Sequence, residues 1–316
     1  MSARVSARVA VIGGGRSCEH DVSLASAASV AGALDPATYD VVRLTIDRDG
    51  SWLDGHGARL DLAGAVGVLA GCDVVLPVVH GPHGEDGTLA ALCELAGRPY
   101  VGSGVGAGAV AMDKWVTKLV AEAVGIATAP GRVVTATTAT GLAWTGPVVV
   151  KPVAAGSSHG VTLVRDPGAL APALAAALAL DDRVLVEEVV VGREVDVAVL
   201  RRADGSLLAS PALEIVVDGL FDLEAKYGGG ADLRVPAALD EVEAKALEEA
   251  ALATYAALGC DGVARVDFFL TAGGLVLNEV NTVPGMTEHS QVPRMFAAAG
   301  LPYAALLDEL VRAALA

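Results

Sequence analysis

Two short patterns near the C-terminus carry most of the chemistry in this 316-residue chain, Arg265-x-Asp267 and Glu279-x-Asn281. Each lies in an apolar run with the length and composition of a strand, residues 263–270 and 275–281. A Gly-rich turn, Ala272-Gly273-Gly274, joins them, so the pattern predicts a β-hairpin. A three-residue turn sets Asp267 opposite Glu279 and Arg265 opposite Asn281. Strand alternation then places all four side chains on one face. Opposed carboxylates repel, so either something cationic lies between them or one of them holds a proton. Asp, Glu and Asn offer only oxygen ligands, which suits Mg²⁺ and not zinc. An arginine on the same face suits a phosphate. The ribbon reads as a Mg²⁺–nucleotide platform; the plainer alternative is a hairpin with one solvated face.

Other stretches offer compatible chemistry. Residues 281–290, N-T-V-P-G-M-T-E-H-S, are turn chemistry leading into a short helix. Gly285 there allows close backbone approach and leaves an N–H to point at a developing oxyanion. A β-branched strand at 147–150 ends at Lys151-Pro152, and A-G-S-S-H-G follows at 155–160. Backbone N–H groups and hydroxyls of such a loop can cradle phosphate, with Lys151 at its base. The loop is also flexible enough to act as a lid. Three of the five lysines, Lys114, Lys151 and Lys226, fall in these candidate motifs; Lys118 and Lys245 do not. Lys226 lies in E-A-K-Y-G-G-G at 224–230, which reads as a mobile loop with an anchored start.

These groups need a framework. Residues 8–12, Gly13-Gly14-Gly15 and a helix from about 21 to 34 form a strand–Gly loop–helix unit, the opening of a Rossmann-like domain without GxGxxG. Glu19, just before that helix, is by itself an acid that complements the helix dipole. Strands follow at 41–46 and 74–79, the second almost wholly apolar, as in a parallel sheet covered on both faces. It ends at His80, where ligands of open α/β sheets bind. A helix from 112 to 123 carries Lys114, in isolation a solvated lysine. A strand at 184–191 carries Glu187, and Glu194 follows; alone, these are ordinary strand-edge acids. An amphipathic helix at 241–258 precedes the ribbon, and 301–315 closes the chain. The expected domains are 1–103, 104–186 and 187–316, the first ending in the Gly-rich 102–108.

Composition narrows the function. Length predicts two or three domains. Hydrophobic residues at 53% are ample for burial. The net charge of −16 argues against a nucleic-acid partner, but not against ATP, which Mg²⁺ and local basic residues can hold. No apolar stretch is long enough for a membrane span, and no signal peptide is legible. Cys18, Cys72, Cys93 and Cys260 show no metal spacing, so reduced thiols in a cytoplasm are expected.

Taken in order, S-C-E-H-D-V-S at 17–23, H-G-P-H-G-E-D-G-T at 80–88, A-M-D-K at 111–114, the 155–160 loop, E-A-K-Y and R-x-D…N-E-V-N-T-x-P-G-M-T-x-H-S resemble the D-alanine–D-alanine ligases, which are ATP-grasp enzymes. The resemblance covers nearly the whole chain. It implies an α/β (α+β) ATP-grasp fold with an N-terminal Rossmann-like domain. It implies ligation of two D-alanines for peptidoglycan precursors, with ATP and Mg²⁺ or Mn²⁺, two ions with Glu279 bridging. It also implies a homodimer. Glu19 and His80 would meet the first D-alanine. Lys114, Lys151, Ser157, Ser158 and Asn278 would contact nucleotide phosphates and their cation, and Arg265 and Gly285 the oxyanion. Asp267, Glu279 and Asn281 would be the metal ligands. Glu187 and the backbone near Val190 would meet adenine, and Glu194 the ribose. Lys226 and Ser290 would take the second carboxylate. Glu19, Ser157 and Tyr227 would form a hydrogen-bonded triad, with Tyr227 favouring D-alanine over D-lactate as acceptor. The family usually has an acid at 155, an apolar residue at 159 and often an aromatic at 189; here stand Ala155, His159 and Val189. A ligase with another acceptor, or a nucleotide-binding relative without catalysis, are the alternatives.

Overall fold

The computed structural model describes residues 7–216 and 232–316. Lys226 and Tyr227 lie outside the described residues. Three sheets organise the chain. The first has five strands, its centre parallel: Tyr39–Ile46, Ala7–Gly14 and Val74–Pro77 lie side by side. Ala7–Gly14 is buried at seven of its eight positions, as expected for a strand covered on both faces. The helix His20–Ala33 packs on it, and the expected 21–34 differs by one residue at each end.

The second sheet is antiparallel and four-stranded: Gly131–Val134, Val184–Glu188, Val148–Pro152 and Thr162–Val164. Lys151 stands in a strand of this sheet, and Glu187 stands in its neighbour. The third sheet has six antiparallel strands, with Arg193–Arg201 between Leu213–Val216 and Val263–Thr271, and the ribbon strand Gly274–Asn281 at one edge.

Two local readings change. The Gly-rich stretch after Ser103, where the first domain is expected to end, contains a helix, Val105–Met112. Gly108 lets it approach the 80–88 loop, since a Cβ there would lie 2.6 Å from the Glu85 carbonyl oxygen. Asp113 then ends this helix and caps the next, Lys114–Ala123, by accepting from the Val116 N–H. Both helices pack against the third sheet: Ala111 and Ala121 share a core with Val195, Tyr255 and Phe268. Lys114 therefore reaches the ribbon and the second sheet together.

The ribbon turn is also shorter than expected. Thr271 pairs with Gly274, leaving a two-residue turn, and a β-bulge between Asp267 and Phe268 absorbs Asn278. The pairs Arg265–Asn281 and Asp267–Glu279 hold, because the bulge offsets the missing turn residue. The last two helices, Gln291–Ala298 and Tyr303–Leu315, fold back onto the first sheet; Leu306, Leu307 and Leu310 share a core with Val9, Val11 and Leu76.

Candidate active site

The ribbon solves its charge problem from within the chain. Arg265 forks onto Asp267, with Nε 2.7 Å from Oδ1 and Nη2 2.7 Å from Oδ2. Asn281 Nδ2 donates to Asp267 Oδ2 at 3.0 Å, which leaves the Asn281 carbonyl oxygen with its lone pairs. Lys114 Nζ lies 3.3 Å from Glu279 Oε2. The opposed carboxylates thus each meet a lysine or arginine. Burial disfavours the charge on Arg265, but Asp267, then Asp196 and Glu279, outweigh it and hold the guanidinium protonated.

Two cavities meet along this ribbon. One, about 490 Å³, lies between the second and third sheets. Lys114, Lys151, Ser158, Glu187, Val190, Glu194, Asn278 and Glu279, expected around nucleotide, line it, whereas Ser157, expected there too, lines the other cavity. The bulge makes this possible, because it lets the consecutive residues Asn278 and Glu279 face the same cavity. Lys151 Nζ lies 2.5 Å from Glu187 Oε2 and donates to Asn278 Oδ1 at 3.4 Å. Lys118, buried, pairs with the other Glu187 oxygen and donates to the Ala129 carbonyl. Burial alone would raise the Glu187 carboxyl, yet Lys151 and Lys118 hold it below the usual range. Val189, Val190 and Val191 form an aliphatic wall at the outer end.

The second cavity, about 520 Å³, lies further along the ribbon, where Arg265 and Asn281 stand. Glu19, His80, Ser157, Arg265, Asn281, Gly285 and Ser290 line it. Glu19 is buried, and its Oε1 accepts from the Ser157 hydroxyl. Its Oε2 is buried without a hydrogen-bond partner among the described residues. A buried carboxyl oxygen so placed calls for a hydrogen-bond donor from a ligand. His80 uses both ring nitrogens: Nδ1–H donates to the Val283 carbonyl at 2.7 Å, and Nε2 accepts from Ser26 Oγ at 3.1 Å. Burial lowers its pKa, so the ring is a neutral brace between the helix His20–Ala33 and the Gly285 loop. The Ser290 hydroxyl meets Thr287 Oγ1 at 2.7 Å and accepts from the Thr287 N–H.

The Gly/Ser loop separates the two cavities. Lys114 Nζ donates to the Ala155 carbonyl at 2.8 Å. Ser157 and Ser158 have φ of +49° and +56°, a costly conformation for residues with a Cβ. It turns Ser157 toward Glu19 while Ser158 lines the first cavity.

The structure adds three groups. Lys118 follows Lys114 by four residues on one helix, a spacing that signals a shared face. Asp196 follows Glu194 by two on a strand, the period of one sheet face. Glu85 lines the second cavity and accepts from the Gly81 N–H at 2.7 Å. Burial, and then Glu19, push its carboxyl up to about 8. Nothing in its loop sequence distinguishes Glu85 from an exposed acid.

All-oxygen ligands at the wall between the cavities fit a hard cation. Among the described residues no three or more His, Cys, Asp or Glu gather as a complete metal cage. Two carboxylates and an amide, completed by phosphate oxygens, are the kind of set Mg²⁺ takes.

Comparison with known proteins agrees with this architecture. The family model described as D-ala D-ala ligase C-terminus matches residues 102–312, and that of the N-terminus matches 8–68 and 58–103. The D-alanine–D-alanine ligase of Mycolicibacterium vanbaalenii is 42% identical, over 100% of this chain and 98% of that protein. That of Nocardia farcinica is 42% identical over 98% of this chain and 97% of its own. Among solved structures, the VanG D-Ala:D-Ser ligase of Enterococcus faecalis superposes with a TM-score of 0.86 at 34% identity, over 97% of this chain and 98% of that one. The Bacillus anthracis D-alanine–D-alanine ligase complexed with ATP superposes with a TM-score of 0.82 at 28% identity, over 98% of each chain. The two antiparallel sheets with a cavity between them are an ATP-grasp fold, and with both family halves matched in order this chain belongs to the D-alanine–D-alanine ligase family.

Proposed function

We propose that this protein is an ATP-dependent ligase that joins two D-alanines into D-alanyl-D-alanine for peptidoglycan precursors. The observation that carries the reading is the pair of cavities that share Ser157–Ser158 and the ribbon as their common wall. One is rich in lysine and suits a nucleotide. The other presents the buried Glu19 Oε2, which suits the ammonium of an amino acid.

The first D-alanine binds with its ammonium on Glu19 and its carboxylate toward Arg265 and the ribbon. ATP lies across Lys114 and Lys151, its adenine beside Val190 and Glu187 and its ribose at Glu194. A carboxylate oxygen attacks the γ-phosphorus, the bond to the β-phosphate bridge breaks, and ADP and an acyl phosphate result. Most of this acceleration is positioning and charge stabilisation. Asp267, Glu279 and Asn281 would hold Mg²⁺, which when bound would neutralise charge on the transferring phosphoryl group. The amine of the second D-alanine, having lost a proton, attacks the acyl carbon. Arg265 and the Gly285 N–H face the oxyanion, and collapse breaks the C–O bond and releases phosphate. Ser290 and Lys226 take the second carboxylate. A cytoplasmic location is the reading that ATP dependence supports, and the family expectation of a homodimer is open to sedimentation of the pure protein.

The test is product analysis with ATP and a panel of D-alanine, D-serine and D-lactate. D-Alanyl-D-alanine with stoichiometric ADP is expected. D-Alanyl-D-serine as main product, as the name of the VanG relative suggests for that enzyme, would overturn the acceptor assignment. No ADP release with any of them would overturn catalysis.

A further inference from the structure

Asp196 is the most buried carboxylate of the site, 0% exposed. It lies on the strand Arg193–Arg201, directly opposite Asp267 on the neighbouring strand. Like charges opposite one another in a sheet are destabilising, and burial multiplies the cost. Among the described residues, Arg265 is the cation within ion-pair distance of both carboxylates. Its Nε is 2.7 Å from Asp267 Oδ1 and 3.4 Å from Asp196 Oδ2. Asp267 holds the fork in good geometry, and Asp196 stands slightly further off.

Asp267 cannot serve two masters fully. A carboxylate has about four lone-pair sites. The fork from Arg265 occupies two, and Asn281 Nδ2 takes a third. A divalent cation at Asp267 would also repel the guanidinium forked onto the same oxygens. Arg265 must nevertheless stay put, because it lines the cavity where the acyl phosphate would form.

We propose that Asp196 is the positioning residue that keeps Arg265 in place when Asp267 gives its oxygens to the cation that accompanies the nucleotide. Without nucleotide, Arg265 rests mainly on Asp267. With it, the guanidinium leans on Asp196 and its reach into the second cavity is preserved. The second carboxylate is thus a reserve anchor, and its burial keeps water from replacing it. This rests on the metal reading of Asp267 given above.

The experiment uses the full chain with Asp196→Asn, Asp196→Thr (a β-branched residue suited to the strand) and Asp267→Asn. Melting temperature is followed while Mg²⁺ is titrated at fixed ADP, and KM and kcat for D-alanine are measured at saturating Mg²⁺. Without ADP, both Asp196 variants are expected to melt close to the parent, because Asp267 still holds Arg265. Their Mg²⁺ half-saturation should rise about tenfold, the usual cost of losing a residue that supports a metal ligand. KM for D-alanine should rise as well, since Arg265 then competes with the cation for Asp267. Asp267→Asn should lose the Mg²⁺ effect altogether. A Mg²⁺ titration unchanged in both Asp196 variants, with Asp267→Asn losing the effect, overturns the hand-over and leaves the metal reading standing. A Mg²⁺ effect retained in Asp267→Asn overturns the metal reading and the hand-over with it. Failure of both Asp196 variants to fold overturns the proposal too, because it gives Asp196 no role in the nucleotide-free fold.

Discussion

The Ser157 hydroxyl donates to Glu19 Oε1 across 138 positions of sequence, tying the loop over the nucleotide cavity to the acid of the amino-acid cavity. Loop and acid are in close contact along this line. A Cβ on Gly156 would lie 2.2 Å from Glu19 Oε2. Gly156→Ala should therefore push Glu19 from the position that suits an ammonium. Overpacking of this kind costs about 1–3 kcal/mol. The expected outcome is a KM for the first D-alanine raised about tenfold or more, with a smaller change for ATP. Steady-state kinetics with each substrate varied in turn checks it.

Lys118 matters through Glu187. Lys118→Met keeps the length of the side chain and removes the ammonium, so Lys151 alone must neutralise a buried carboxylate. Removing one partner from such a group costs about 3 kcal/mol. Stability in urea should fall by about that amount, and KM for ATP should rise because Lys151 is drawn to Glu187. A KM for ATP equal to the parent's would separate the lysine from nucleotide binding.

Glu85 makes stability depend on pH. Its folded pKa, about 8, lies above its ordinary value of 4.5, so between those values the folded state holds a proton that the unfolded chain has lost. Stability therefore falls as pH rises through that window. Glu85→Gln keeps the shape and removes the titration. Between pH 5.5 and 8.5 the melting temperature of the variant should decline less than that of the parent. Parallel curves would mean that Glu85 ionises freely.

Asp267 and Glu279 are predicted to differ in the nucleotide-free protein, although both should be needed for turnover. Asp267 accepts the buried fork of Arg265, so Asp267→Asn should lower stability by about 2 kcal/mol. Glu279 meets Lys114 at the longer 3.3 Å and is less buried, so Glu279→Gln should cost little. Turnover of ATP should vanish in both. Activity retained by either would remove that residue from the set of metal ligands.

The amino-acid sequence by itself made legible the opening strand–helix unit, the ribbon pairing and the residue types available at several strand ends, but not elements such as the helix Val105–Met112. Apolar periodicity and turn residues are local properties, which is why helices such as Glu241–Ala257, capped by Asp240, are legible within a residue or two. The opposition of Asp267 and Glu279 was legible as well, though by compensation: a shorter turn and a bulge at Asn278 offset one another. Tertiary structure alone decided what depends on contacts between distant segments. The helix Lys114–Ala123 packs on the third sheet because its apolar face fits Val195 and Tyr255, and that places Lys118 on Glu187. Asp196 faces Arg265 only because two strands about 70 residues apart pair in one register, which burial of one face of the sheet fixes. Glu85 acquires its raised pKa from burial beside Glu19, an environment that no stretch of sequence contains.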